Sequence, residues 1–288
     1  MTPTHSPIVR RRRLAAELAR LRQESGKTLN DVAAALECSP AKISRIESAA
    51  VTIRVQDLRA LLDFYAVAGT DRPALLDLAR QSRGHGWWFA YADLIGETMQ
   101  TLVGLEDEAT RVALYESHGI PGLLQTPEYA QAVMSRFQDF SAAELAQGLE
   151  LRMRRQAIFD RDVPPELLVV LDEAALRRAP AGADIMAGQY DKLLEVAARP
   201  ACTLQVLPLG GLNPYGAVPF SVLWFADGTE PQAAYAELPA SEHLIDRTAA
   251  VGQYAAAFGD LAGCALSPAE SADLVRAIAR EGGAGRRR

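Results

Sequence analysis

The feature that most constrains the fold is a succession of short helix signals between residues 8 and 65. Leu14, Leu18 and Leu21 recur at spacings of four and three, which places them on one face of a first helix over residues 8–24. Gly26 ends this helix, because glycine readily adopts the conformation that follows a helix C-terminus. The chain therefore begins with short helices that must pack on one another.

Two more helices follow closely. Thr28 is a suitable N-cap for a second helix through Leu36. The dipeptide Ser39-Pro40 opens a third, since serine caps helices and proline is tolerated at the first helical position. Ile43 and Ile46 give this third helix an apolar inner edge. This order predicts a helix-turn-helix, in which the third helix enters the major groove of DNA.

Small residues and two further helices complete the predicted head. Ala33, Ala34 and Ala35 allow the second and third helices to cross closely. A fourth helix is predicted over 55–65, and a fifth over 73–82 with Asp71 as its cap. The fold predicted for the whole chain is mainly α. It has a five-helix repressor-type head, then an α+β domain with a small sheet of about four strands covered by helices.

The residues predicted to recognise DNA lie on the polar edge of the third helix. Ala41, Lys42, Ser44 and Arg45 face away from the two isoleucines on a helical wheel. Lys42 and Arg45 have the donors that guanine O6 and N7 or a phosphate accept. These four residues are the predicted base contacts.

The charge of the chain is unevenly divided. The net charge is −6, but residues 1–65 carry 11 Lys/Arg and 7 Asp/Glu, a net +4. The remainder carries 19 and 29, a net −10. A basic head on an acidic body predicts one surface for phosphate and another for a different partner.

Composition and motifs exclude several classes. No apolar run approaches the ~20 residues of a membrane span, and the start of the chain lacks a signal peptide, so we expect a cytoplasmic protein without membrane contact. Cys38, Cys202 and Cys264 form neither a disulfide framework nor a metal knuckle. The four histidines have no metal spacing, and no phosphate loop or nucleophile elbow is present. We therefore expect no cofactor, no metal and no enzyme.

The predicted domain boundary is a glycine-rich joint. Residues 1–7 are expected to form a disordered tail and 8–83 the head. Gly84-His85-Gly86 is the expected hinge, so 84–280 form the regulatory and dimerisation domain, and 281–288 a flexible basic tail. Trp87 and Trp88 follow the hinge, where they either anchor the second core or line a ligand site.

The second domain offers strands and few candidate groups. Strands are predicted over 167–171, 203–207, 220–225 and 233–238, while 106–118 fits either a strand or a helix. Asp172 and Glu173 are interpreted as charge partners of Arg177 or Arg178, in preference to an acid–base pair. The loop 209–216 is interpreted either as an ordinary connection or as a lid over a pocket. The candidate ligand or partner site comprises Trp87, Trp88, Tyr215, Trp224 and Tyr235.

Residues 10–65 resemble the lambda/434 repressor-type (XRE-like) family. The stretches 26–33 and 39–47 match its pattern G-x-T-x-x-x-[LV]-A … S-x-x-x-[IV]-S-x-[IW]-E. The resemblance implies that Ala41, Lys42 and Arg45 approach bases and that Glu47 is structural. Many members have a phosphate-binding Gln where this chain has Leu29, which shifts that role to Asn30 or Lys27. The predicted phosphate contacts are Arg11, Arg12, Arg13, Lys27, Thr28, Asn30 and Ser39.

The second domain also resembles a family, through the stretches 120–130, 171–178 and 203–208. They are similar to signatures of actinobacterial antitoxin-like (Scr1-type) regulators, whose C-terminal domain has no assigned chemistry. Together the two resemblances imply a sequence-specific transcriptional regulator. It would bind a near-palindromic operator in double-stranded DNA as a homodimer, since one head buries too little surface for tight binding.

Three functions are compatible with the sequence. The first is a transcription regulator whose second domain dimerises and senses a small-molecule effector or a partner. The second is an antitoxin-like DNA binder that sequesters a small cognate protein. The third is an enzyme with a DNA-binding appendage, which the absence of a nucleophile–base constellation disfavours.

Overall fold

A computed structural model describes residues 6–137, 140–178, 180–216, 218–226, 233–238 and 241–284. The chain divides into two compact units, Met1–Phe89 and Ala90–Arg288. Trp87 and Trp88 therefore belong to the first unit. Within the described residues, no helix combines the length and apolar character needed to cross a bilayer.

The first unit is the predicted bundle of five helices. They are α1 (Pro7–Glu24), α2 (Leu29–Ala35), α3 (Pro40–Glu47), α4 (Val55–Phe64) and α5 (Asp71–Gln81). Leu18, Val32, Ile43, Leu58 and Leu62 are among the side chains of their common core, each 1% exposed or less. The apolar periodicity of the sequence thus marks the buried faces. Asp71 begins α5 and is not its cap.

Two turns set the path through the first three helices. After α1, Gly26 has a φ of +66°, and the amide of Lys27 donates to the carbonyl of Arg22 at 3.1 Å. After α2, Glu37 adopts a φ of +49°, and the amide of Cys38 donates to the carbonyl of Ala33 at 2.9 Å. Both are helix-ending motifs that require a left-handed residue. Glu37 occupies that conformation without the freedom of glycine.

The second unit contains helices on a mixed sheet. Its helices are α6 (Glu97–Glu106), α7 (Pro127–Phe137), α8 (Ala142–Gln156), α9 (Glu173–Arg177), α10 (Ala183–Ala197), α11 (Thr248–Cys264) and α12 (Pro268–Ala284). Its strands are β1 (Arg111–Glu116), β2 (Glu166–Asp172), β3 (Cys202–Leu207), β4 (Phe220–Trp224), β5 (Ala233–Leu238) and β6 (Ser241–Ile245). Short 3₁₀ helices cover Trp87–Tyr91, which spans the boundary of the two units, Gly122–Leu124 and Ala157–Asp160.

The strands are ordered β3-β2-β1-β4-β5-β6. The first three are parallel, and β4, β5 and β6 continue the sheet by antiparallel pairing. Helix α11 covers one face, where it packs with Ala113, Tyr115, Phe220 and Val222. Because side chains alternate along a strand, Leu114, Ser221 and Tyr235 lie on the opposite face.

The prediction of about four strands was too low. The sequence left 106–118 undecided, and the structure resolves it into the end of α6 and the strand β1. The sixth strand was missed because Ser241, Glu242 and His243 are polar and exposed at the edge of the sheet. Helix α12 continues to Ala284, so it includes the first residues of the tail expected at 281–288. Residues 285–288 and most of the expected N-terminal tail lie outside the described residues.

Candidate nucleic-acid interface

Helix α3 presents the polar edge that the sequence predicted. Ile43 and Ile46 are 1% and 4% exposed, whereas Ala41, Lys42, Ser44 and Arg45 are all exposed. The helix starts from Ser39, whose hydroxyl accepts the amide of Lys42 at 3.2 Å. The bundle therefore holds α3 by one edge and leaves the other to solvent.

An ion pair fixes the C-terminal end of α3. Arg22 of α1 donates to both carboxylate oxygens of Glu47, from Nε at 2.8 Å and from Nη2 at 2.9 Å. The two side chains are 16% and 9% exposed. The hydrogen bonds that Arg22 donates to Glu47 raise the pKa of Arg22, against the opposing effect of burial. Glu47 therefore has the structural role that the resemblance implied.

The two cations on the polar edge of α3 differ. The ammonium of Lys42 lies 2.7 Å from Oδ2 of Asp57, on the first turn of α4. The guanidinium of Arg45 has no hydrogen-bond or ion-pair partner among the described residues. Arg45 is thus ready to meet an acceptor, whereas Lys42 must first leave a surface pair, which costs little.

The predicted phosphate contacts near α2 are partly occupied. The hydroxyl of Thr28 donates to Oδ2 of Asp31 at 2.7 Å, and the Thr28 amide donates to the same oxygen at 2.8 Å. These bonds lower the pKa of Asp31. Lys27 is exposed over the ring of Phe64 at 5.8 Å, and Asn30 is exposed at the second position of α2. Lys27 and Asn30 are better placed for a phosphate than Thr28.

The N-terminal arginines lie at the other end of α1. Arg10 donates to the side chain of Gln81 on α5. Arg11 and Arg12 are half-buried and Arg13 is exposed. Twelve residues separate Arg10 from Arg22, which is about 18 Å along a helix. The structure therefore places this arginine cluster well away from the end of α1 that holds α3.

One basic residue near α3 escaped the sequence reasoning. Arg54 directly precedes α4 and is exposed. It stands three residues before Asp57, so the two lie on neighbouring positions of the first helical turn. The pair of Asp57 with Lys42 brings this turn beside the polar edge of α3. No local signal could reveal this, because the proximity depends on how α4 packs.

The predicted pocket of Trp224 and Tyr235 is wrong. Trp224 packs on the sheet face that α11 covers, and the guanidinium of Arg111 lies 5.6 Å from its ring. Tyr235 alternates with Ala234 and Ala236, which belong to that same face, so its own side chain is on the other. The sheet separates the two rings.

The other aromatic candidates each contact groups outside the predicted pocket. Tyr215 donates to the carboxylate of Asp260 on α11. Trp87 and Trp88 contact each other edge to face, with ring centroids 5.8 Å apart, and belong to the first unit. The loop carrying Tyr215 is fastened by Asn213, whose amide donates to the hydroxyl of Tyr115 at 2.7 Å.

The acidic pair at the end of β2 is structural, and of the two only Glu173 is a charge partner of Arg177 as the sequence predicted. Glu173 pairs with Arg177 at 2.6 Å and also accepts the amide of Leu209 at 3.0 Å. Asp172 accepts the amide of Ala174 at 2.8 Å and so caps α9. Among the described residues, no group of three or more His, Cys, Asp or Glu side chains is arranged to hold a metal ion.

Two family models match the chain. Residues 13–75 match a helix-turn-helix domain, which indicates a DNA-binding regulator. Residues 99–277, more than half of the chain, match DUF5753, described as a domain of unknown function. No curated protein and no solved structure matches the chain. The chain belongs to the DUF5753 family, here joined to a helix-turn-helix head.

Proposed function

We propose that this protein is a sequence-specific transcriptional regulator of the repressor type. Helix α3 lies in the major groove of its operator. Arg45 reads one base there, and Lys42 contacts a second base after it leaves Asp57. Ala41 and Ser44 face the same groove, where an alanine methyl can contact a thymine methyl and a serine hydroxyl can hydrogen-bond a base edge.

The observation that carries this proposal is the unpaired guanidinium of Arg45 on a rigidly held helix. Buried isoleucines anchor one edge of α3, and Glu47 is fixed by Arg22. An arginine with free donors, on a helix that is already ordered, is suited to the bidentate acceptors of guanine. Binding then has to fix the side chain of Arg45 but not its backbone.

Phosphate contacts flank the recognition helix in this proposal. Ser39 and the amide of Ala41, at the start of α3, face one phosphate. Lys27, Asn30 and Arg54 hold the adjoining backbone, while Arg11, Arg12 and Arg13 contribute through their general positive field. These contacts orient the head and carry no sequence information themselves.

The protein acts as a homodimer on a near-palindromic site. A single head contacts only a few base pairs, and two heads separated by about one helical turn of DNA give the surface needed for tight binding. The second unit supplies dimerisation. Its excess of acidic residues keeps it away from the DNA.

Selection of bound duplexes from random DNA, followed by affinity measurements, tests this function. Wild type and Arg45→Ala are compared on the selected operator and on unrelated DNA. We expect the substitution to weaken operator binding by about 1–3 kcal/mol and to leave non-specific binding nearly unchanged. Absence of any selected sequence with the wild-type protein would contradict the proposal.

A second candidate function is an antitoxin-like regulator that holds a small cognate protein. It is favoured by the loop after β3, where Leu209, Leu212, Tyr215 and Val218 are 44–69% exposed. Exposed apolar side chains close together are typical of protein-binding surfaces. The test is binding of a small basic protein encoded next to this chain. Leu212→Ser must weaken that binding and leave operator binding intact.

A further inference from the structure

Three helix ends meet at one end of the head. Helices α4 and α5 have 10 and 11 residues and pack on each other, so the end of α5 returns to the start of α4. Nη2 of Arg83, two residues after α5, donates to the carbonyl of Ile53, two residues before α4, at 3.3 Å. Arg10, on the first turn of α1, donates to the side chain of Gln81 on α5. These contacts bring together residues 10–13, 53–57 and 77–84, which we call the arginine end.

The arginine end carries an excess of positive charge. Its three segments contain seven arginines and two aspartates. The opposite end comprises residues 22–31 and 61–72, where Lys27 lies over the ring of Phe64 at 5.8 Å. It contains three Lys/Arg and four Asp/Glu. The positive charge of the head is therefore concentrated at one end.

The two aspartates of the arginine end are already engaged. Asp57 pairs with Lys42 of α3 at 2.7 Å, and Asp77 pairs with Arg80. Arg54 is exposed and has no hydrogen-bond or ion-pair partner among the described residues. An anion from outside the head can therefore meet cations that no carboxylate holds.

The two arginines that join the helix ends donate only to neutral oxygens. Arg83 is exposed and donates to a backbone carbonyl, while Arg10 is half-buried and donates to an amide oxygen. Within the part of the chain that the structure describes, neither has a carboxylate partner. Both hydrogen bonds can be exchanged for stronger, charge-assisted bonds to an anion.

The arginine end adjoins the polar edge of α3. The pair of Lys42 with Asp57 joins the first turn of α4 to α3, and Arg83 contacts the residue that directly precedes Arg54. A DNA strand presents one negative charge about every 3.4 Å along the helix axis. Donors spread over three helices, beginning beside the recognition helix, fit such a row of phosphates better than they fit one small anion.

We propose that the arginine end binds the phosphates of the DNA strand next to the groove that α3 occupies. Arg83 and Arg10 extend the backbone contacts beyond Arg54, and each exchanges its neutral oxygen for a phosphate oxygen. These contacts carry no sequence information, so they hold any duplex. The inference rests on the proposed function only in that it needs DNA beside α3.

Binding of the full chain to a random-sequence duplex, measured at several salt concentrations, tests the inference. Each lost phosphate contact lowers the slope of log affinity against log salt by about 0.9. We expect a decrease of about one for Arg83→Gln and for Arg10→Gln, and of about two when both are combined. Arg83→Lys should keep the wild-type slope, because it keeps the charge.

Arg59→Gln is the matched control. Arg59 is exposed on α4, about 140° around this helix from Arg54, and its substitution changes the charge of the head by the same amount. We expect its slope to equal that of the wild type. The unfolding temperature of each variant is measured first, and if Arg10→Gln does not fold, Arg83→Gln decides the result.

Three outcomes would overturn the inference. One is a wild-type slope for both Arg83→Gln and Arg10→Gln. Another is an equal decrease for Arg59→Gln, which would indicate a general effect of charge. The third is stronger binding of random DNA by Arg83→Gln, which would mean that the arginine end pairs with the acidic second unit and that the substitution releases the head.

The result can be separated from the test of the proposed function, which depends on the selected operator and on Arg45→Ala. Unchanged slopes together with an intact operator preference would remove the arginine end alone. Reduced slopes in a protein that selects no operator would support the arginine end and contradict base reading by α3.

Discussion

Each of the two units contains a partly buried ion pair between an arginine and a glutamate, but the second arginine beside the pair differs between the units. In the head, Arg22 and Glu47 form a two-point ion pair that fixes α3 and leaves Arg45 exposed beside it. In the second unit, Arg155 and Glu106 form such a pair, and the neighbouring Arg152 donates to the side chain of Gln125. The comparison separates an ion pair that leaves the next cation exposed at the surface from one whose neighbouring cation is already held by the protein.

Breaking the pair of the second unit should have the largest effect. The side chains of Arg155 and Glu106 are 11% and 5% exposed. Glu106→Gln leaves the guanidinium without its counter-charge, and we expect a loss of about 3–5 kcal/mol in the free energy of unfolding. Denaturant titration of the second unit measures it. Operator affinity at a temperature where the variant is folded serves as the control; a loss below 1 kcal/mol would mean that the pair is solvated.

Breaking the pair of the head should cost slightly less stability and also affect DNA binding. Glu47→Gln is expected to lower the free energy of unfolding of the head by about 3 kcal/mol, since this pair is somewhat more exposed. Operator affinity falls with it, because α3 is no longer held at its C-terminal end. Denaturation and affinity are measured together. Unchanged affinity in a destabilised variant would show that the pair does not position the helix.

Relief of a strained turn should act in the opposite direction. Glu37 has a φ of +49° between α2 and α3. Glu37→Gly is expected to raise the free energy of unfolding of the head by about 1 kcal/mol, because the left-handed strain outweighs the greater freedom of glycine in the unfolded chain. A lower unfolding temperature would contradict this assignment. Ala16→Gly, at an exposed position in the middle of α1, is the control and should destabilise.

The smallest effect concerns the pair that restrains Lys42. Asp57→Asn removes the carboxylate 2.7 Å from its ammonium and frees the lysine for DNA. We expect operator binding to strengthen by about 0.5 kcal/mol, because Lys42 no longer has to leave an ion pair before it contacts a base. Affinities on operator and random DNA test it. An equal gain on random DNA would instead mean that Lys42 contacts a phosphate.

Local patterns in the sequence predicted most of the head. The spacing of Leu14, Leu18, Ile43 and Ile46 marks buried faces of helices, and Ser39-Pro40 marks the start of α3. These signals depend only on neighbours within two turns. The polar edge of α3 follows from the same periodicity, so its four residues were found correctly as an exposed surface, while their contact with bases stays a prediction.

Contacts between distant segments were not predictable. Asp57 and Lys42 meet because α4 packs beside α3, and no pattern at either residue encodes that. Trp224 and Tyr235 were grouped by residue type, but the pairing of β4 with β5 sets them on opposite faces. The strand β6 lacks an apolar alternation because it lies at the sheet edge. Register and edge position arise from tertiary structure, so the sequence alone left them open.

A complete set of single-base operator variants tests whether α3 reads bases through Arg45. Affinities are measured for wild type, Arg45→Ala and Arg59→Ala; Arg59 is an exposed arginine on α4. We expect Arg45→Ala to lose about 1–3 kcal/mol of operator-binding free energy and to bind equally well whatever base stands at one position of each half-site. Arg59→Ala should keep the wild-type preferences. If Arg45→Ala kept the full wild-type pattern of base preferences, Arg45 would not be the residue that reads a base.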